Sequence, residues 1–265
     1  MSAKRIRRRG DGPGKVWLWL PPILVFALFV ALWYAAHFYF AEVLKRNGVI
    51  PMPHNVVATF GIAEVRDDLL DGLWTDIVGS LVGLAIASII GISWAIVMNS
   101  AKWMERSTYP YAVVLQSIPI LALAPLIALW FGTGLPSKLV ITTLIVFFPV
   151  AVATMVGIRG VDPRLLEMAR AFRATGWQVA TRVEVPAAMP AILGGMRVGI
   201  TLAVIGAIVG EWAGGEKGLG VLINIARGSL FDIPLMFAAL AQLALIGVTL
   251  YLVMVLIERR LVGDR

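Results

Sequence analysis

Hydrophobic and polar positions fall in long blocks along this chain rather than in short alternating periods. Apolar runs occupy residues 16–40, 76–98, 111–131, 139–157, 192–209 and 234–257. Each approaches or exceeds the roughly 20 residues a helix needs to cross a bilayer. The pattern predicts an all-α, polytopic membrane protein with six transmembrane helices and both termini on one side. The second run carries Gly79, Ser80, Gly83, Ala87, Ser88 and Gly91, a face of small side chains suited to close helix–helix contact. The third contains Gln116, Ser117 and Pro119, then Pro125. Two prolines six residues apart remove backbone donors, so this helix is expected to bend or open. Open backbone at membrane depth survives only beside protein or a water-filled cavity, which makes Gln116, Ser117, Pro119 and Pro125 candidates for a pathway lining. A packing kink is the plainer alternative.

The polar connections differ in character. In the segment 42–75, Pro51 and Pro53 set an extended corner, and residues 56–73 are expected to form an amphipathic helix lying at the interface. Its acidic group, Glu64, Asp67, Asp68, Asp71 and Asp76, is interrupted by Arg66 and lacks metal-ligand spacing, so it reads as a solvated face. Segment 211–232 is rich in glycine. Between the fourth and fifth runs lies a different kind of connection, 159–190, with Arg159, Arg164, Arg170, Arg173 and Arg182. Asp162-Pro163 is a helix start, N-cap followed by the first helical position. Leu165, Leu166, Ala169 and Phe172 recur at three- and four-residue spacing and form an apolar stripe, with Glu167, Arg170 and Arg173 mostly beside it. Gly176 is expected to make the turn. Thr175 and Gln178 resemble a capping box for a second short helix, which Pro186 is expected to end.

Composition sharpens this. The chain is 59% hydrophobic and 15% charged, with a mean hydropathy of +0.86, against about 45–50% and 25% in soluble domains. It has no cysteine, which excludes disulfides, thiolate metal sites and cysteine nucleophiles. Two histidines, His37 and His54, leave little for metal or acid–base chemistry. The net charge of +7 is unevenly distributed. Of 23 lysines and arginines, sixteen fall in the tail 1–15, the connections after the second and fourth runs, and the C-terminus. Six fall on the other side (Lys45, Arg46, Arg66, Lys138, Lys217 and Arg227), and Arg197 lies inside a run. By the positive-inside rule the arginine-rich connection and both termini are cytoplasmic. The tail 1–15 then reads as a basic cytoplasmic flank. The first run is too long for the apolar core of a secretory leader, and no small-residue cleavage site follows it.

The chain carries no phosphate-binding GxxxxGK[ST] loop, no HExxH, no GxSxG and no paired carboxylates within a run. Asp76, Arg197 and Glu211 are the charges nearest the bilayer, all at ends of runs, where snorkelling or helix termini account for them. Glu211, beside Trp212, is the best of the three for a functional contact. A membrane enzyme acting on lipid or isoprenoid would need intramembrane acids or histidines at a common depth. An ion-coupled secondary carrier, the alternative reading, normally shows inverted repeats and buried ion ligands and has no use for a cytoplasmic helix pair. A DNA-binding role for that pair fails because no further soluble helix covers its apolar stripe. A partner protein is the simplest cover.

Glu167-Met168-Ala169, Gly176 seven residues later and Pro186 together resemble the EAA loop of binding-protein-dependent ABC transporter permeases, with Met168 at the usual middle alanine. Ile118-Pro119, Ala124-Pro125-Leu126 and Trp130-Phe131-Gly132 resemble the third-span signature of the branch that imports nitrate, sulfonates, taurine, pyrimidine precursors and riboflavin. The corner Ile50-Pro51-Met52-Pro53 and the triplet Gly218-Leu219-Gly220 fit the same branch. The resemblance implies the six-helix type I importer fold, a permease domain over 16–265, and a coupling helix that docks into a cytoplasmic ATPase dimer. Leu165, Leu166, Ala169 and Phe172 would supply packing there, Glu167, Arg170 and Arg173 polar contacts, and Gly176 the turn. It also implies a second permease copy, a periplasmic or lipid-anchored binding protein, residence in the bacterial inner membrane, and no cofactor on this chain, ATP and Mg being held by the ATPase. The expected pathway residues are Gln116, Ser117, Pro119, Pro125, Trp130, Glu211 and Trp212. No run carries an arginine near its centre. The aromatic residues Trp94, Trp130 and Trp212, with Gln116, lean towards a pyrimidine precursor or riboflavin over nitrate, sulfonate or taurine.

Overall fold

The computed structural model describes residues 15–45, 48–100 and 102–263. The basic tail, except Lys15, lies outside them, as do Arg46 and Arg265. Among the described residues there is no strand. The chain divides into two compact units, Met1–Ala58 and Thr59–Arg265.

In the first unit, α1 (Lys15–Phe38) runs through Pro21 and Pro22 and ends in a π turn, Tyr39–Val43. The proline corner folds back on α1 through side-chain hydrogen bonds. The Trp33 indole donates to the Pro51 carbonyl (3.0 Å) and His37 Nδ1 to the Ile50 carbonyl (2.6 Å), while the Tyr34 hydroxyl lies 3.0 Å from His54 Nδ1. Both histidines of the chain are thus occupied in holding this corner. The short helix α2 (Pro53–Thr59) follows.

The second unit is built on three long helices: α3 (Ala63–Ser100), α6 (Leu135–Arg159) and α9 (Val185–Trp212). α3 packs parallel to α6, and α6 antiparallel to α9. Met98 near the end of α3 clusters with Met155 near the end of α6, and Ile158 of α6 clusters with Ala188 and Ile192 near the start of α9. The small-residue face expected on the second run is the contact surface. Gly79, Ser80, Gly83, Ala87, Ser88 and Gly91 are all buried. A side chain on Gly206 would lie 2.8 Å from the Thr142 Cα, and one on Gly210 would lie 2.7 Å from the Lys138 Cα. Only glycine lets the backbones approach this closely.

The expected interfacial helix over 56–73 is not a separate element. After a break at 60–62 the chain enters α3 and continues without interruption into the second span. The reason lies on one face of that helix. Leu69, Gly72 and Asp76 are buried inside the protein, and Gly72 abuts the backbone of Leu219, so this face of the stretch packs on protein.

Because α3 ends where α6 ends, the chain between them must cross back. It does so as two helices, α4 (Lys102–Ser117) and α5 (Ile120–Phe131), bent by 97° at Ile118-Pro119. The prolines act unequally. Pro119 breaks the run, whereas Pro125 sits within α5 without opening it. Among the described residues five helices are long and apolar enough to span a membrane, and six if the bent pair counts as one span. The last, α11 (Ile233–Val262), is tied to α3 by the Gln242 amide donating to the Leu69 carbonyl (3.2 Å).

Candidate functional site

Two regions of the second unit gather most of the residues singled out by sequence. The first is the arginine-rich connection. Helix α7 (Pro163–Ala171) starts at Asp162, whose carboxylate accepts from the Arg164 N–H at 2.9 Å. Helix α8 (Gly176–Val179) starts with the full capping box, the Gln178 N–H donating to Thr175 Oγ1 and the Thr175 N–H to Gln178 Oε1. Between them the turn is not made by Gly176, which is helical at the start of α8. Arg173 is the left-handed residue, at φ 52°. The Ala174 N–H reaches back to the Ala169 carbonyl and the Arg173 N–H to that of Arg170, a complete Schellman closure. An arginine in that conformation is uncommon, and the two bonds hold it there.

Pro186 does not end the second helix either. A π turn, Ala180–Glu184, precedes it and the chain runs on into α9, giving a continuous helical stretch from Gly176 to Trp212. The widened turn displaces the carbonyls that a proline ring would otherwise strike. Asn99 at the end of α3 donates to Glu184 (3.2 Å), and Arg159 pairs with Glu105 (2.5 Å), so the ends of α3 and α6 brace this region.

The expected apolar stripe divides. Ala169 is buried against the rest of the chain and Leu166 half-buried. Leu165, Met168, Phe172 and Trp177 point out, Phe172 being 80% and Trp177 72% exposed. Glu167, Arg170, Arg173 and Gly176 are exposed beside them.

The second region is a cavity of about 430 Å³ at the α4–α5 bend. Gln116, Ser117 and Pro119 line it, with Leu115, Leu123, Phe147, Phe148 and Leu202 among the apolar walls. Among the described residues its lining includes no ionisable side chain. Pro125 and Trp130 are exposed on α5, away from this lining.

Glu211 and Trp212 belong to a third arrangement, one that sequence reasoning missed. Lys138, one turn into α6, reaches both Asp76 of α3 (3.2 Å) and Glu211 of α9. All three are almost completely buried: Asp76 0%, Lys138 2% and Glu211 2% exposed. Snorkelling therefore does not explain Asp76 and Glu211. The second oxygens of the carboxylates accept backbone N–H groups from the start of α10 (Leu219–Ile225), Asp76 Oδ2 from Leu219 (3.2 Å) and Glu211 Oε2 from Gly220 (2.6 Å). The Trp212 indole then donates to the Gly220 carbonyl at 3.1 Å. Gly218 is at φ 133°, and a side chain there would overlap the Glu211 carboxylate. The signal was present in the sequence, because Asp76 lies on the same helix face as Gly79, Ser80 and Gly83. A carboxylate on the packing face points into the protein. Arg197 differs from the trio; it pairs with Glu258 of α11 at 3.1 Å, both partly exposed.

Residues 87–263 match the family model described as the binding-protein-dependent transport system inner membrane component. The chain belongs to this family. It is the permease component of an ABC transporter, a transport subunit rather than an enzyme. A 161-residue stretch is 51% identical to the riboflavin transport system permease protein RibX of Chloroflexus aurantiacus, covering 61% of this permease and 60% of that one. The formylaminopyrimidine transport permease protein ThiX of Halalkalibacterium halodurans is 34% identical over 234 residues, 86% of this chain and 89% of the relative. The putative aliphatic sulfonates transport permease protein SsuC of Bacillus subtilis is 31% identical over 270 residues, covering 100% of the permease and 94% of the relative. In fold it resembles a chain of the MetNI methionine ABC transporter in an inward-facing conformation, with a TM-score of 0.69 at 19% identity over 77% of this chain and 100% of that chain. The type I importer fold expected from the sequence is thus the fold adopted.

Proposed function

We propose that this permease works as a pair of copies in the bacterial inner membrane, with both termini cytoplasmic, and imports an uncharged, ring-bearing solute. Its α7–α8 segment docks into a cytoplasmic ATPase dimer that holds ATP and Mg, and a periplasmic or lipid-anchored protein delivers the solute. The observation that carries the docking is the uncovered row Leu165, Met168, Phe172 and Trp177 on a segment edged by arginines. Exposed aromatics of this kind anchor protein interfaces, and Arg170 and Arg173 suit an acidic rim. Arg173, fixed by the Schellman closure, would hold Phe172 at the tip.

The substrate reading rests on the cavity. Phe147, Phe148 and Leu115 offer stacking and apolar surface, and Gln116 and Ser117 offer an amide and a hydroxyl. A sulfonate or nitrate entering such walls would lose hydration without gaining a cation. A flavin or pyrimidine precursor is matched by the same walls, and the relatives named for riboflavin and formylaminopyrimidine agree in that direction.

The test is co-purification and uptake. The tagged chain, co-expressed with the ATPase encoded beside it, should recover that subunit and support ATP-dependent uptake of riboflavin or a pyrimidine precursor in preference to taurine. Phe172→Asp and Trp177→Asp should each reduce ATPase recovery at least about tenfold, as expected when an interface anchor worth roughly 2 kcal/mol is lost. Unchanged recovery in both variants sinks the docking role; preferential uptake of taurine sinks the substrate assignment.

A further inference from the structure

Helix α5 is held differently from its neighbours. α3, α6 and α9 meet through glycines that bring backbones into contact, and their Asp76, Lys138 and Glu211 close one buried charge cluster that also takes the first N–H groups of α10. Four elements are therefore tied at one point. Separating α3, α6 or α9 strands an ion in the protein interior, and separating α10 removes a donor from each carboxylate; either is costlier than sliding an apolar seam.

α5 carries no charge and buries only Ala124, Ile127 and Ala128. It meets α6 and α9 through an apolar seam with Ile141 and Val209. Both its ends are breaks. One is the 97° bend at Ile118-Pro119, where the ring at the N-cap leaves no N–H to continue a helix. The other is Gly132-Thr133-Gly134, both glycines at φ 85° with open space where a Cβ would stand. Hinges are short terminal segments of this kind, able to absorb a change in φ and ψ without a clash. The cavity lies where the first hinge meets α6.

We propose that α5 is the moving wall of the gate at this end of the pathway, swinging on its two hinges against a fixed wall of α3, α6, α9 and α10, and that Lys138 is the positioning residue that holds the fixed wall together through Asp76 and Glu211. The proposal rests on the reading of the cavity as part of the pathway. Lys138 touches no solute; it keeps α10 and the outer part of α9 in register while α5 moves.

Nitroxide labelling tests this in the full complex with its ATPase and binding protein in nanodiscs, labelled chain being diluted with unlabelled chain. The chain has no cysteine, so labels go only where placed. Leu129, Ile205 and Ile225 are exposed positions on α5, α9 and α10. ATP with vanadate should shift the distance distribution of the Leu129→Cys/Ile205→Cys pair and leave that of Ile205→Cys/Ile225→Cys unchanged. Lys138→Met should broaden the second distribution and lower solute transported per ATP hydrolysed, and Lys138→Arg should recover part of both.

Because Lys138→Met alone leaves two carboxylates without their counterion, the neutral variant Asp76→Asn/Lys138→Met/Glu211→Gln carries the same test without a stranded charge. Equal shifts in both pairs, or wild-type transport per ATP in the neutral variant, overturn the proposal. Wild-type uptake with a motionless α5 pair also overturns it and leaves the pathway reading standing; a wild-type complex that neither transports nor moves overturns both.

Discussion

Thr142 occupies the tightest point of the packed helices, with Gly83 of α3 and Gly206 of α9 closing on it from two sides. A methyl group on Gly206 has to displace backbone rather than a side-chain tip, an overpacking cost of about 1–3 kcal/mol. Gly194 on the same helix faces open space. Gly206→Ala should therefore lower the thermal unfolding midpoint of the detergent-solubilised chain while Gly194→Ala holds or raises it; the same midpoint for both would remove close backbone contact as the basis of this seam. Lys138 makes a second residue-scale case. Replacing it alone by Met leaves two carboxylates facing each other in the interior, a loss of roughly 3–5 kcal/mol. Neutralising all three members together should cost much less, because no charge is stranded. If the single variant melts higher than the triple one, the cluster is not held by its charges.

At the scale of elements, α7 shows what a sequence can and cannot disclose. Its start at Asp162 and the Thr175–Gln178 box were legible because capping is local: side chain and backbone donor lie within three residues. The turn after it was not. Glycine is the usual left-handed residue, yet Arg173 takes that role because the two Schellman bonds outweigh its penalty. Pro186 misled for a similar reason, since the π turn before it, Ala180–Glu184, leaves no residue signature. Asp162→Ala should cost about 1 kcal/mol of helix stability. Hydrogen exchange over residues 163–171 should quicken several-fold, while Phe172→Asp leaves that exchange unchanged and affects docking alone. Faster exchange in Phe172→Asp would mean that Phe172 holds the helix rather than a partner.

For the whole molecule, the six-span architecture was legible from the apolar runs, and the return crossing of α4 and α5 follows from chain direction. The division of labour between its regions was not. Gln116, Ser117 and Pro119 reach a common cavity, but Trp212 and Glu211 serve the charge cluster, a long-range meeting that no local pattern specifies. A cysteine placed at Gln116 or Leu123 should react with a water-soluble maleimide in the assembled transporter and be shielded by the transported solute; indifference to solute would place the pathway elsewhere. The cluster also bears on how the chain is made. Asp76 is synthesised 62 residues before Lys138, and Lys138 73 residues before Glu211. A lone carboxylate costs up to roughly 3 kcal/mol to insert at the centre of a span and less towards its end, where Asp76 stands level with the first turn of α6. Integration of α3 into the bilayer therefore gains its counterion only when α6 emerges from the ribosome, and the newborn protein must keep α3 waiting beside the insertion machinery. Truncation before Lys138 leaves a nascent chain with an unanswered charge, the kind of lesion that membrane quality-control proteases read.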